Sequence, residues 1–144
     1  MNHSKIAIGS DHGGYEYKKI IKKYLVQKDY TLIDVGTDSN ESCDYPIFAK
    51  QVVAMITSKK ADKGILICGT GIGMSICANK YKGIRASVCT DTFTASATRK
   101  HNDSNILCLG ERVIDIDTAI NIVDTWLETE FEGGRHQKRI DMIE

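Results

Sequence analysis

A chain of 144 residues can bury roughly two-thirds of its unfolded surface, and its 19 lysines plus arginines balance 19 aspartates plus glutamates, for a formal net charge of zero. That balance excludes nucleic-acid or membrane-surface binding through bulk charge, and no apolar run approaches the ~20 residues of a membrane span. Five cysteines, an odd number placed mostly in apolar stretches, argue against a secreted disulfide framework and point to a reducing cytoplasm.

In chain order, Lys5-Ile6-Ala7-Ile8-Gly9 reads as a first strand ending in the turn Ser10-Asp11-His12-Gly13-Gly14. Tyr17, Ile20, Ile21, Tyr24 and Leu25 then mark the apolar face of a helix. Thr31-Leu32-Ile33-Asp34-Val35 is a second strand stopped by Gly36, and residues 37–45 form a polar loop. Pro46 suits the first turn of the next helix, whose buried stripe is Phe48, Val52, Met55 and Ile56. The stretch Gly64-Ile65-Leu66-Ile67-Cys68 reads as a buried strand running into Gly69-Thr70-Gly71-Ile72-Gly73, after which Met74 to Asn79 can open a helix. Backbone N–H groups gathered at such a turn can bind an anion, and a thiol stands at its lip. Residues 83–89 are a fourth strand, 92–100 a helix and 105–109 a fifth strand. Asp117 is expected to cap a helix with Ile120, Val123, Trp126 and Leu127 on its core face. Gly133-Gly134 breaks that helix, and a last short helix begins at Arg135. With one proline, no repeat and no low-complexity tract, residues 1–144 are expected to form one domain. The N-terminal Met1-Asn2-His3-Ser4-Lys5 lacks the long apolar segment of a secretory leader.

Strands alternating with helices imply right-handed crossovers and a parallel sheet covered on both faces. Ligands bind such sheets outside the C-terminal ends of the strands, which places Asp11, His12, Cys68, Thr70, Asp91 and Arg112 in the candidate region. Several chemistries are excluded there. Met74 stands where a dinucleotide fingerprint needs its third glycine, and that glycine loop follows the third strand rather than the first. No Gly-Lys-Ser/Thr follows a glycine loop, no cysteine has an arginine six positions on, and Cys-x-x-Cys is absent. His12, His101 and His136 are scattered, with no His-Glu-x-x-His and no paired cysteines, so no metal site is expected.

Each candidate also has a plainer role. Cys68 can be a small core residue, although N–H dipoles beside it stabilise a thiolate. Cys77, Cys89 and Cys108 read as packing residues. Asp11-His12 can cap the first helix, or can orient and polarise a hydroxyl. His101-Asn102 fits a solvated turn. Arg135, His136 and Arg139 fit a solvated charge run, but Arg135 and Arg139 are four apart and can clamp a phosphate from one helix face.

Gly9-Ser10-Asp11-His12-Gly13-Gly14, Asp44-Tyr45-Pro46, Ile67-Cys68-Gly69-Thr70-Gly71-Ile72-Gly73, His101-Asn102-Asp103, Gly110-Glu111-Arg112-Val113 and Glu132-Gly133-Gly134-Arg135-His136-Gln137-x-Arg139 together resemble the type B ribose-5-phosphate isomerases, whose family also holds galactose-6-phosphate isomerase subunits. Some members carry a glutamate base at the position of Met74 and no cysteine at position 68; this chain has the cysteine pattern. The resemblance implies a three-layer α/β/α, Rossmann-like (flavodoxin-like) five-stranded parallel sheet in the order 2-1-3-4-5 with a C-terminal helix. It implies interconversion of ribose 5-phosphate and ribulose 5-phosphate through an enediolate, without metal or organic cofactor. Cys68 would move the proton between C2 and C1, Thr70 would shuttle protons between the sugar oxygens, and His101 with Asp11 would open the furanose ring. The N–H groups of Gly69, Gly71, Ile72 and Gly73 would support the enediolate. His12, Arg135, His136 and Arg139 would bind the phosphate, and Asn102 and Arg112 would hold sugar hydroxyls or neighbouring loops. A homodimer or dimer of dimers with sites at the subunit interface is implied, with some site residues supplied by the partner. Two alternatives remain at this stage: the same chemistry on a six-carbon sugar phosphate (allose or galactose 6-phosphate), and a non-catalytic module that binds a phosphorylated metabolite.

Overall fold

Uninterrupted apolar runs at positions 6–8, 65–67 and 106–109 can be buried only in strands covered on both faces, and the computed structural model, which describes residues 4–144, places them at the centre of one sheet. The expectation for residues 1–3 lies outside the described residues. The elements run β1 (Lys5–Ser10), a 3₁₀ turn (His12–Gly14), α1 (Tyr15–Gln27), β2 (Thr31–Gly36), α2 (Tyr45–Thr57), β3 (Lys63–Cys68), α3 (Ile72–Ala78), β4 (Ala86–Val88), α4 (Thr92–Asn102), β5 (Ile106–Gly110), α5 (Ile116–Glu128) and α6 (Arg135–Ile143). All strand pairs are parallel. Ile6, Ile8, Ile65, Ile67, Leu107 and Leu109 meet α1, α4 and α5 on one face; Ala7, Leu66, Cys68, Ile106 and Cys108 meet α2 and α3 on the other. The three layers and the C-terminal helix are as expected.

The strand order is not. The sheet reads β2-β1-β3-β5-β4, so β5 lies between β3 and β4 where 2-1-3-4-5 was expected. The lengths and burial explain this. Every residue of β5 is buried, whereas β4 has three half-buried residues rather than the seven read from the sequence. An edge is the only place for so short a strand, and its outer side is closed by a side chain. Asn79 Nδ2 donates to the Ala86 carbonyl at 2.9 Å while Asn79 Oδ1 accepts from the Ala86 N–H at 2.8 Å, imitating a neighbouring strand.

Local corrections follow the same logic. Asp115, not Asp117, caps α5, accepting from the Thr118 N–H at 2.8 Å; Asp117 sits in the first turn. Ile20 is 45 % exposed, because the inward row of α1 is Lys18, Ile21 and Leu25. Lys18, 2 % exposed, bonds both carboxylate oxygens of Asp34 at 2.7 and 2.8 Å, and Lys22 reaches the same group at 3.2 Å. Burial pushes the Asp34 carboxyl up, but hydrogen bonds from Lys18, the Gly36 N–H and Lys22 outweigh it and hold it below the usual range. Its folded value being the lower one, the stabilisation is complete above the unfolded value of ~3.9 and is lost as pH falls through the folded value.

Two outcomes test this packing. Asp34→Ala strands a buried ammonium and should cost about 3 kcal/mol in urea unfolding at neutral pH, with the deficit shrinking under acid conditions; Lys18→Met should cost clearly less, because Asp34 keeps Lys22 and the Gly36 N–H as partners while methionine fills the buried volume. At Gly110 an added Cβ would lie 2.6 Å from the backbone of Thr70, so Gly110→Ala should destabilise by about 1–3 kcal/mol in the same assay.

Candidate active site

In the sheet, β1 and β3 are neighbours, with β2 outside β1 and β5 outside β3, so the strand order reverses between them. A crevice at the C-terminal ends of β1 and β3 is therefore built into the topology. Cys68 ends β3, 6 % exposed, and its Sγ accepts a hydrogen bond from the Gly71 N–H at 3.1 Å. Gly71 has φ +80°, and a Cβ there would press on the Leu109 backbone at 3.0 Å, so glycine alone allows the turn that aims this N–H at the sulfur. An N–H directed at sulfur stabilises negative charge on it. Burial pushes the Cys89 thiol up to about 11 and raises the Cys108 thiol well above its ordinary value, so both stay protonated at neutral pH, as packing residues should.

Thr70 is exposed at the mouth of the crevice, and its Oγ1 accepts from the Ile72 N–H at 3.2 Å. Two of the N–H groups expected to face an enediolate, those of Gly71 and Ile72, are thus engaged inside the loop. Gly69 lies under Arg112: a Cβ there would sit 3.0 Å from a guanidinium nitrogen. The Arg112 N–H donates to the Gly69 carbonyl at 3.0 Å, and the Glu111 N–H to the Cys68 carbonyl at 2.9 Å. Asp11 does cap the turn after β1, its Oδ1 accepting from the N–H groups of Gly13 and Gly14, and it stays 8 % exposed beside the crevice. His12 Nδ1 accepts from the Cys43 N–H at 3.1 Å, tying the polar loop of residues 37–45 to the same end. Gly73 packs under the ring of Tyr45, a neighbour that the sequence motif contained but that had not been counted in the site. Asp91 caps α4 through the Thr94 N–H.

His101, Asn102, Arg135, His136 and Arg139 are elsewhere. They line a cavity of about 270 Å³ with Ile140 and Ile143, where α6 packs on the end of α4. The rings of His101 and His136 stack at 4.4 Å, and His136 Nε2 lies 3.4 Å from Glu132 Oε1. Glu132 was missed among the candidates, because its proximity to His101 arises only from folding. Buried Arg99 fixes this corner by donating to the Ser104 carbonyl at 2.7 Å, to Asp103 at 2.8 Å and to the Thr129 carbonyl at 3.2 Å. Since α4 runs back along the sheet and β5 starts four residues after Asn102, this cluster lies at the N-terminal edge of the strands. The length of β5 alone separates it from Cys68 by on the order of 15 Å. A larger cleft of about 410 Å³ beside α1 holds Lys18, Lys19 and Lys22, but these pair with Asp34 and Glu16. One chain therefore carries two separate clusters: a thiol in a glycine turn, and a basic pair with stacked imidazoles.

Known proteins agree with this architecture. The profile of the ribose/galactose isomerase family matches residues 6–143. Ribose-5-phosphate isomerase B of Escherichia coli is 49 % identical over 139 residues, covering 96 % of this chain and 93 % of the relative. The solved ribose-5-phosphate isomerase B of Clostridium thermocellum superposes with a TM-score of 0.96 at 55 % identity, covering 96 % of this chain and 94 % of that one. The Mycoplasma genitalium enzyme, solved with bound ribulose 5-phosphate, superposes with a TM-score of 0.93 at 43 % identity, covering 96 % of this chain and 93 % of that one. The chain belongs to the ribose/galactose isomerase family.

Proposed function

We propose that the chain is an aldose–ketose isomerase of the cytoplasm that interconverts D-ribose 5-phosphate and D-ribulose 5-phosphate. The observation that carries this is Cys68, seated at the reversal point of the sheet with an N–H on its sulfur and Thr70 open beside it, in a chain of the isomerase family. As thiolate, Cys68 removes the C2 proton of the open-chain aldose and returns it to C1. The electron pair passes through an enediolate whose oxygens exchange a proton by way of Thr70. Because the Gly71 N–H serves the sulfur, support for the enediolate oxygen falls to its neighbours in residues 69–73. A base placed in this way contributes ~10²–10⁴-fold. His101, with Asp11, opens the furanose ring, and Asn102 and Arg112 hold hydroxyls. His12, Arg135, His136 and Arg139 hold the phosphate.

A substrate a few ångströms long cannot touch Cys68 and Arg135 of one chain, so the two half-sites act together only when a partner brings its α4–α6 corner to the glycine loop. Exposed Ile72 and Ile76, one turn apart on α3, and Ile47 on α2 offer an apolar surface beside that loop for a second copy. A homodimer, alone or paired into a tetramer, with each site shared between chains follows from this.

Ribulose 5-phosphate formation by the purified chain in EDTA should persist, and Cys68→Ala should lower kcat/KM by about 10²–10⁴-fold. Undiminished activity in that variant would move the base elsewhere, and a preference for six-carbon phosphates would change the substrate but not the chemistry. Mixing inactive Cys68→Ala with inactive His101→Asn under exchange conditions should restore about a quarter of wild-type activity, since half the dimers then hold one complete site. No recovery, with exchange verified by mass, would place both residues in a site of one chain.

A further inference from the structure

His101, Glu132 and His136 each bring a ligand atom to within 4.8 Å of the other two. A tetrahedral ion of the zinc type, with ligands at ~2.0–2.2 Å, sets neighbouring donors ~3.3–3.6 Å apart. His136 Nε2 and Glu132 Oε1 already stand at 3.4 Å, and the exposed ring of His101 has only to turn. The backbone beneath is fixed. The Glu132 N–H donates to the Lys100 carbonyl at 3.2 Å, the His136 N–H to the Gly133 carbonyl at 3.1 Å, and His136 is 6 % exposed. Two imidazoles and one carboxylate suit borderline divalent ions such as zinc, cobalt or nickel, whereas magnesium and calcium prefer oxygen alone. Arg135 and Arg139 oppose a cation, but they line the cavity on one side of His101, while Glu132 lines a separate cleft on the other with Phe93, Ser96 and Lys100. Glu132 supplies the negative charge of the donor set, with Lys100 in its own cleft and Arg135 and Arg139 beside His136 as the opposing cations.

We propose that His101, Glu132 and His136 form a site for a borderline divalent transition-metal ion, and that its occupancy inhibits the isomerase by engaging both imidazoles assigned to substrate. Metal binding stands on geometry alone; the inhibition rests on the function proposed above. The test titrates Co²⁺ into the full chain, previously stripped with EDTA, and follows visible absorption. One ion per chain should bind with the spectrum of nitrogen and oxygen ligation. Glu132→Gln and His136→Asn should each weaken binding by more than ~100-fold, the upper end of what loss of a mere outer partner costs. Zn²⁺ should raise the apparent KM for ribose 5-phosphate and leave kcat alone, and Glu132→Gln should relieve that effect. Absence of Co²⁺ binding at millimolar concentration, binding untouched by both substitutions, or a thiolate charge-transfer band placing the ion on cysteine would each overturn the site. Zn²⁺ inhibition that substrate does not reverse would overturn the inhibitory role. Co²⁺ binding with the expected dependence in a chain that isomerises no sugar phosphate would uphold the site and refute the proposed function instead.

Discussion

The turn that follows Cys68 has room for backbone and nothing else, and the chemistry of the crevice descends from that constraint. A Cβ at Gly71 would meet the Leu109 backbone at 3.0 Å and one at Gly110 would meet that of Thr70 at 2.6 Å, so β3 and β5 close on each other from both sides. The chain escapes through the left-handed conformation at Gly71, and that rotation is what turns its N–H onto the sulfur. The same turn leaves Thr70 exposed and starts α3 with Gly73 beneath Tyr45. One steric fact thus sets the environment of the thiol, the position of the hydroxyl and the direction of the next helix.

At the other edge the arginines divide into two kinds. Arg99 is buried and spends its donors on backbone carbonyls and Asp103. Arg85 bonds the carbonyls of Asn102 and Asp103 and pairs with Glu144, holding the C-terminus of the chain against the end of α4. These two build the corner on which exposed Arg135 and Arg139 stand, four residues apart on α6. Charges placed in this way are neutralised where they carry structure and left facing solvent on α6, where the proposed function puts the phosphate.

The core strands were legible in the sequence because burial on both faces writes a continuous apolar run, and β1, β3 and β5 do so without interruption. Strand order was not, since nothing in residues 86–88 says which side of β5 they occupy; their shortness and half-burial become decisive only when compared with β5. Lys18 was unreadable for a similar reason: a lysine on the inward row looks polar until Asp34 is seen across from it. At the site, the Cys68 turn was visible as a local pattern, and the Asp11 cap as one of two readings. The meeting of His101 with Glu132 and His136 spans more than thirty residues and depends on how α6 folds back on α4, so no local spacing records it. Family motifs supplied roles for both clusters, but their separation by the depth of the sheet is a property of the folded chain.

That separation has a thermodynamic side. With the thiol on one edge of the sheet and the basic pair on the other, a sugar phosphate held by both, as proposed, is held by two chains at once and by neither alone. Such a ligand binds the assembly and not its parts, so by linkage it tightens subunit association by RT ln(1 + [L]/Kd), about 2.7 kcal/mol per site at a hundredfold excess over Kd. Substrate would then act as mortar between subunits, and the enzyme would be most firmly assembled where its metabolite is most abundant.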